Sequence, residues 1–282
     1  FNGAEISLIG SFASTELLRH HPKVTEVNIL DKKYISLLKL AKSLGKFDNF
    51  FSFRGSIRSK IFKLFVSSNH KYQFNKHLYK NLHQVDKYNN FINDSLKVNF
   101  KPGKLLISHA IKPNIKKTTP IVGINPGASY GDAKRWYPEK FAEVAIGLSG
   151  EFEILIFGGS GEVDIALDIE KYLIAKNVLN YKNLSGKTSI SELVEHISKL
   201  DLFISGDSGP MHIAASFQIP TIAIFGPTRD DETSQWMNQK SIVVKKNLEC
   251  QPCMKRNCPL LHHNCMKTIE VDEVLSAFKS IQ

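Results

Sequence analysis

Several stretches in the second half of this chain share one pattern: an apolar run of strand length that stops at a glycine-containing loop. They read IVGINPG, FEILIFGGSG, LDLFISGDSG and PTIAIFGPT, with NVLNYKNLSG among them. Helical patterns follow several of them. Short apolar runs separated by helix-length segments suit strands buried on both faces of a parallel sheet, whose neighbours are joined only through crossovers. Such sheets collect ligands beyond the carboxyl ends of their strands, which is where these loops fall.

The first half follows the same grammar. EISLIGS, VTEVNILD and FDNFFSFRGS read as strands. FASTELLRHHP, KKYISLLKLAKSLGKF and a segment from about Ile57 to Val66 read as helices, the first stopped by Pro22. The polar, basic stretch IKPNIKKTTP is bracketed by prolines and reads as a linker. We therefore expect an α/β protein with an N-terminal unit over 1–112, a linker over 113–120 and a C-terminal unit over 121–282. Two such open units would leave a cleft between them.

The length of 282 residues allows two ordinary domains with buried cores. Hydrophobic residues at 42% and charged residues at 23% describe a globular protein, and no apolar run reaches the roughly 18–20 residues of a membrane span. The net charge of +10 is unevenly spread. Residues 1–118 hold 21 Lys/Arg against 7 Asp/Glu, while the rest hold 16 against 20. The basic half favours an acidic partner: nucleic acid, anionic lipid or a phosphorylated glycan. Nucleic acid would call for aromatic residues interleaved with the basic ones, but Phe50, Phe51 and Phe53 fit a buried strand better, so no nucleic acid is expected. The four cysteines all fall in the last 33 residues, which argues against a disulfide scaffold and for a cytoplasmic protein.

Four strand ends of the second unit converge on one sheet edge: Pro126 to Ser129, Gly158 to Glu162, Gly206 to Pro210, and Gly226 to Thr228. Glycines permit close backbone approach, and helix N-termini attract phosphates, so together they suggest a nucleotide-type ligand. None has Walker spacing, and no clean GxGxxG follows the first strand, which disfavours an ATPase or an NAD enzyme. The stretch FISGDSGPMHIAASF puts Asp, Ser and His within six residues, which invites a hydrolase reading. A nucleophile elbow, however, needs Gly-x-Ser-x-Gly, and the order Gly206-Asp207-Ser208-Gly209 does not supply it. An anion seat fits better, with the amides of Ser208 and Gly209 and His212 as an added donor. Lys134 follows the first loop and can neutralise a diphosphate, with Arg135 as helper or surface charge. Trp136 and Phe141 read as core. Glu162 can accept from ribose hydroxyls or serve as an N-terminal helix charge.

These residues resemble the ADP-heptose:lipopolysaccharide heptosyltransferases, glycosyltransferase family 9, of the heptosyltransferase II type. The resemblance rests on GINPGASYGDAKRW, on LSGKTSISELVEHISKLDLFISGDSGPMHIAASFQIPTIAIFGPT and on CQPCMKRNCPLLHHNCMKTI; FSFRGSIRSKIF and HQVDKY match more loosely. It implies a GT-B architecture: two Rossmann-like domains with parallel sheets facing a cleft, the acceptor on the first and the ADP-sugar on the second. The implied reaction is inverting transfer of heptose from ADP-heptose to the lipopolysaccharide inner core. The implied partners are ADP-heptose, a heptosyl-Kdo-lipid A acceptor and the cytoplasmic face of the inner membrane, touched peripherally. Ser129 and Lys134 would meet the diphosphate, Lys134 stabilising the departing ADP. Glu162 would hold the ribose and Asp207 the heptose hydroxyls, while Ser208, Gly209 and His212 line the phosphate site. Arg54 and His83 are acceptor-side candidates. No metal or cofactor is required if Lys134 and the helix N-terminus stabilise the leaving group, and no Asp-x-Asp motif is present.

The family also begins with a strand and a Gly-Asp loop whose Asp serves as general base. This sequence starts after that segment, so the base is expected to be absent from it, and the role is not reassigned to Asp207. Alternative readings are another GT-B nucleotide-sugar transferase, an epimerase, or an inactive glycan-binding remnant. The tail over 250–265 places Cys250, Cys253, Cys258 and Cys265 around His262 and His263. Its spacing matches no usual zinc ribbon, and structural zinc, disulfides and packed free thiols remain open.

Overall fold

The computed structural model of the chain describes residues 3–31, 33–108 and 119–281. The chain divides after Gly103 into two compact units. The linker expected over 113–120 lies, up to residue 118, outside the described residues.

The first unit runs β1 (Ile6–Gly10), α1 (Phe12–Leu18), β2 (Val24–Ile29), α2 (Tyr34–Ser43), β3 (Phe47–Ser52), α3 (Ile57–Phe65), β4 (Ser68–Gln73) and α4 (Gln84–Leu96). Ser11 and Ser56 start α1 and α3 by accepting a hydrogen bond from the N–H three residues on, satisfying one of the open donors of each first turn. β1 pairs parallel with β2, and β3 with β4, in two separate two-stranded sheets. Leu37, Ala41, Leu44, Phe62 and Val66 form a core that Ile9, Phe47 and Phe50 join, so strands of both sheets rest on one apolar layer. β4 has no strong apolar signal, as suits a strand with three of its six residues exposed, whereas α4 is amphipathic with Phe91 buried. Phe50 and Phe51 lie in β3 as expected. Phe53 does not: it falls past the strand end and is 41% exposed, its ring edge-on to Tyr88 at 5.1 Å.

The second unit continues with β5 (Ile121–Asn125), α5 (Pro138–Leu148), β6 (Glu153–Ile156), α6 (Val163–Ala175), β7 (Tyr181–Asn183), α7 (Ile190–Ser198) and β8 (Leu202–Gly206). It ends with α8 (Gly209–Ser216), β9 (Thr221–Phe225), α9 (Asp230–Thr233), β10 (Ser241–Lys245), α10 (Asn264–Lys267) and α11 (Val271–Ile281). The six strands are all parallel, in the order β10-β9-β8-β5-β6-β7. Read from β7, the order is third, second, first, fourth, fifth, sixth, which is that of a dinucleotide-binding Rossmann sheet. Its first strand, β5, pairs with both the second and the fourth. Among the described residues of the first unit no strand bridges the two pairs in this way.

Side chains alternate across the sheet. Val122, Ile124, Ile154, Ile204 and Ile224 face a core shared with residues of α5, α6 and α11, while Ala223 and Phe225 turn the other way onto Met211 of α8. Both faces are therefore buried, which explains the near-continuous apolar strands. Trp136 and Phe141 are fully buried and meet edge-on at 5.0 Å. Among the described residues no helix is long and apolar enough to cross a membrane.

Candidate functional site

The sheet order sets the site. Successive strands are laid down from β5 toward β7, and then from β8 toward β10, so the loops after β5 and β8 diverge and open a crevice at the carboxyl edge. These are the loops that carry Ser129, Lys134, Asp207, Ser208 and Gly209. Lys134 ends a single 3₁₀ turn, Asp132–Lys134, and reaches across to β8, where its Nζ lies 2.5 Å from Asp207 Oδ2. The two side chains are only 12% and 7% exposed, so the pair is held largely out of water. Thr228, from the loop after β9, donates its hydroxyl to the same Oδ2 at 2.7 Å. Three strand ends thus meet on one carboxylate oxygen.

Beneath the pair, Ser208 Oγ sits 2.9 Å from Ser205 Oγ and accepts from Asn125 Nδ2 at 3.4 Å. Asn125 Nδ2 also donates to the Gly127 carbonyl at 3.2 Å, tying the two loops together. With its hydroxyl so engaged, Ser208 stands at the N-cap of α8 without capping it. The first-turn amides of α8 are left without the usual side-chain acceptor, and this is the arrangement that receives an anion. His212 is half-buried in the first turn of the same helix, and Gly209 and Ser129 are exposed.

Glu162 lies at the junction of a 3₁₀ turn and α6, where its carboxylate accepts from the Gly159 N–H at 2.8 Å. It also rests against Gly127, so closely that any Cβ at that position would overlap it. The carboxylate thus closes its own turn and borders the β5 loop at once. Arg54 and His83 belong to the first unit. Arg54 is exposed in the loop after β3 and its charge is felt by the Tyr88 phenol. His83 is the N-cap of α4, its Nδ1 accepting from the Val85 N–H at 3.2 Å.

All four cysteines are free thiols. Among the described residues no three His, Cys, Asp or Glu side chains are placed to share a metal ion, so the donor geometry does not fit the zinc reading and we derive no step through a metal. The tail packs instead. Cys265 and Met266 are buried in the core of the second unit. His263 bridges two partners: its Nε2 donates to the Ala133 carbonyl at 3.0 Å, and its Nδ1 lies 3.2 Å from Tyr137 Oη. Burial, helped by the neighbouring thiols of Cys253, Cys250 and Cys258, pushes the Cys265 thiol up to about 11. The His263 N–H, donated to Cys258 Sγ at 3.4 Å, draws that thiol down from its ordinary value. A lowered thiol holds more thiolate at neutral pH and a raised one less, so iodoacetamide should label Cys258 well before Cys265 in the native protein. Equal rates by peptide mass spectrometry would contradict this packing.

Sequence reasoning missed Thr228 and Tyr130 as site residues. The Tyr130 ring lies under Lys134 Nζ at 4.7 Å, and its hydroxyl donates to the Met254 carbonyl at 2.9 Å. Neither contact has a local signal, because Thr228 stands 21 residues from its partner and Tyr130 stands 124 from its own.

A parallel sheet of Rossmann order, with glycine-containing loops at its switch point, defines a Rossmann-type α/β protein. Comparison with known proteins narrows the class. Residues 48–263 match the model of glycosyltransferase family 9 (heptosyltransferase), and the chain belongs to that family. It is 43% identical to the lipooligosaccharide heptosyltransferase 2 of Campylobacter jejuni serotype O:2, over 100% of this chain and 90% of that protein. It is 27% identical to the lipopolysaccharide heptosyltransferase 2 of Salmonella typhimurium, over 60% of this chain and 48% of that one. Among solved structures, the E. coli ADP-heptose lipopolysaccharide heptosyltransferase II superposes with a TM-score of 0.79 at 20% identity, covering 100% of this chain and 90% of that one. This likeness establishes the fold of the GT-B heptosyltransferases.

Proposed function

We propose that this glycosyltransferase moves heptose from ADP-heptose to the heptosyl-Kdo-lipid A inner core, with inversion at the anomeric carbon. The observation that carries the reading is the Lys134–Asp207–Thr228 junction at the crevice, beside the uncapped α8 N-terminus. A diphosphate seated there meets the first-turn amides of α8 and the Lys134 ammonium. As the bond to the anomeric carbon breaks, negative charge grows on the leaving phosphate, and these groups are already oriented toward it, so little reorganisation is needed. Asp207, fixed by two donors on one oxygen, can accept from sugar hydroxyls with the other. With Oδ2 taken by Lys134 and Thr228, the remaining oxygen is left to hold a hydroxyl, which fits the sugar-holding role. Ser129, Gly209 and His212 complete the donor site, with Glu162 on the ribose.

On the acceptor side, Arg54 is exposed and suited to a phosphate or Kdo carboxylate, and His83 stands in the same unit. Contact with an anionic membrane is supported by α2 and α3, which set exposed Ile35, Ile57 and Leu64 among exposed Lys39, Lys42 and Lys60. The test is transfer by the native gene product given ADP-heptose and heptosyl-Kdo-lipid A, with the glycolipid weighed by mass spectrometry. The reading expects release of ADP and gain of one heptose. A product formed with a UDP-sugar, and none with ADP-heptose, would refute it.

A further inference from the structure

The donor site as described is short of positive charge. Asp207 neutralises Lys134, and Glu162 adds a carboxylate beside Gly127. Arg135, the next base in the loop, is already paired with Asp132 at 2.6 Å. A nucleoside diphosphate nevertheless carries negative charge on both phosphates, and more once it has left the sugar.

One cation nearby is uncommitted. Arg256, in the cysteine-rich tail, is exposed, and its guanidinium lies 5.3 Å from the centroid of the Tyr130 ring, the same ring that Lys134 Nζ approaches at 4.7 Å. Both distances run to one point, so the two charges are at most about 10 Å apart. Among the described residues no carboxylate pairs with Arg256. Its position is also built rather than incidental. The Arg256 carbonyl accepts from the Ala133 N–H at 3.0 Å, and the Tyr130 hydroxyl is tied to the Met254 carbonyl at 2.9 Å. Gly131 lies flush against the Arg256 backbone and Cβ, where any side chain on residue 131 would collide. The Met254 N–H in turn donates to the Pro227 carbonyl at 2.9 Å, next to Thr228. The tail therefore clasps the loops after β5 and β9 and holds one Arg beside Lys134.

We propose that Arg256 is a second cation for the donor's diphosphate, held over Tyr130 and acting with Lys134 on the phosphate oxygens. This rests on the donor-site reading above. It gives the cysteine-rich tail a role in binding, since the fold of the tail is what brings Arg256 to the loop. A guanidinium suits the task because its planar fork can grip two phosphate oxygens while its face stays on an aromatic ring.

The test is calorimetric titration of ADP, and separately of adenosine, into wild type, Arg256→Ala, Arg256→Lys and Lys134→Ala. Hydrogen bonds to charged groups contribute enough that Arg256→Ala should weaken ADP by about tenfold or more. Adenosine binding should not change, and Arg256→Lys should recover part of the loss. Unchanged ADP affinity in Arg256→Ala, with Lys134→Ala impaired, would overturn the role of Arg256 and leave the donor site standing. Equal weakening of ADP and adenosine by Arg256→Ala would also overturn it, by marking a structural effect. Unchanged ADP affinity in both alanine variants would overturn the donor-site reading together with this one.

Discussion

Lys134→Ala is expected to lower turnover by about 10²–10³-fold, the usual loss when a preorganised group facing developing charge is removed. It should also unsettle the fold, because it strands Asp207, 7% exposed, with Thr228 as its remaining partner at that oxygen. Breaking a buried pair from one side costs about 3–5 kcal/mol. The two effects separate in the double variant Lys134→Ala/Asp207→Asn, which removes both charges. Thermal stability should largely return, since no uncompensated charge is left buried, while turnover should stay low because the diphosphate has lost its cation. Unfolding midpoints and initial rates measured on the two variants check this. If activity recovered along with stability, Lys134 would be a structural ion and nothing more.

Trp136→Ala should cost about 3–5 kcal/mol of stability, as for other buried tryptophans. Trp136 is 1% exposed, stacks edge-on with Phe141, and donates its Nε1 proton to the Ile269 carbonyl at 3.2 Å. It therefore joins the loop two residues beyond Lys134 to the segment that leads into α11. In a unit of this size each kcal/mol moves the melting midpoint by about 2–4 °C, so a fall of roughly 10 °C is expected by calorimetry. Trp136→Phe keeps most of the apolar contact but leaves the Ile269 carbonyl without this donor, and should lose less than half as much. A melting point within a degree of wild type for Trp136→Ala would contradict the packing described.

The six-stranded sheet was legible because its strands are buried on both faces, which leaves apolar runs broken by glycine-containing loops. The strand ends at Gly127, Gly158, Asp207 and Gly226 all fall on the edge that those runs imply. β4 was not legible, since exposure removes the apolar run that marks a strand; α4 does carry a helical period in Val85, Tyr88, Phe91 and Ile92 and could have been read from it. At the site, residues close in sequence were readable as a loop and a helix start. The pairing of Lys134 with Asp207 spans 73 residues, and the clasp of the tail on Tyr130 spans 124; only the folded sheet supplies those contacts. The cysteine spacing left ligand, disulfide and packing readings open; in the fold Cys265 serves the core and Cys258 receives an amide.

A nucleoside diphosphate seated at the crevice between β5 and β8 should slow hydrogen–deuterium exchange, compared with and without ADP, in residues 127–134, 158–162 and 207–212. Protection confined to residues 245–252, or to the first unit, would rule that seat out.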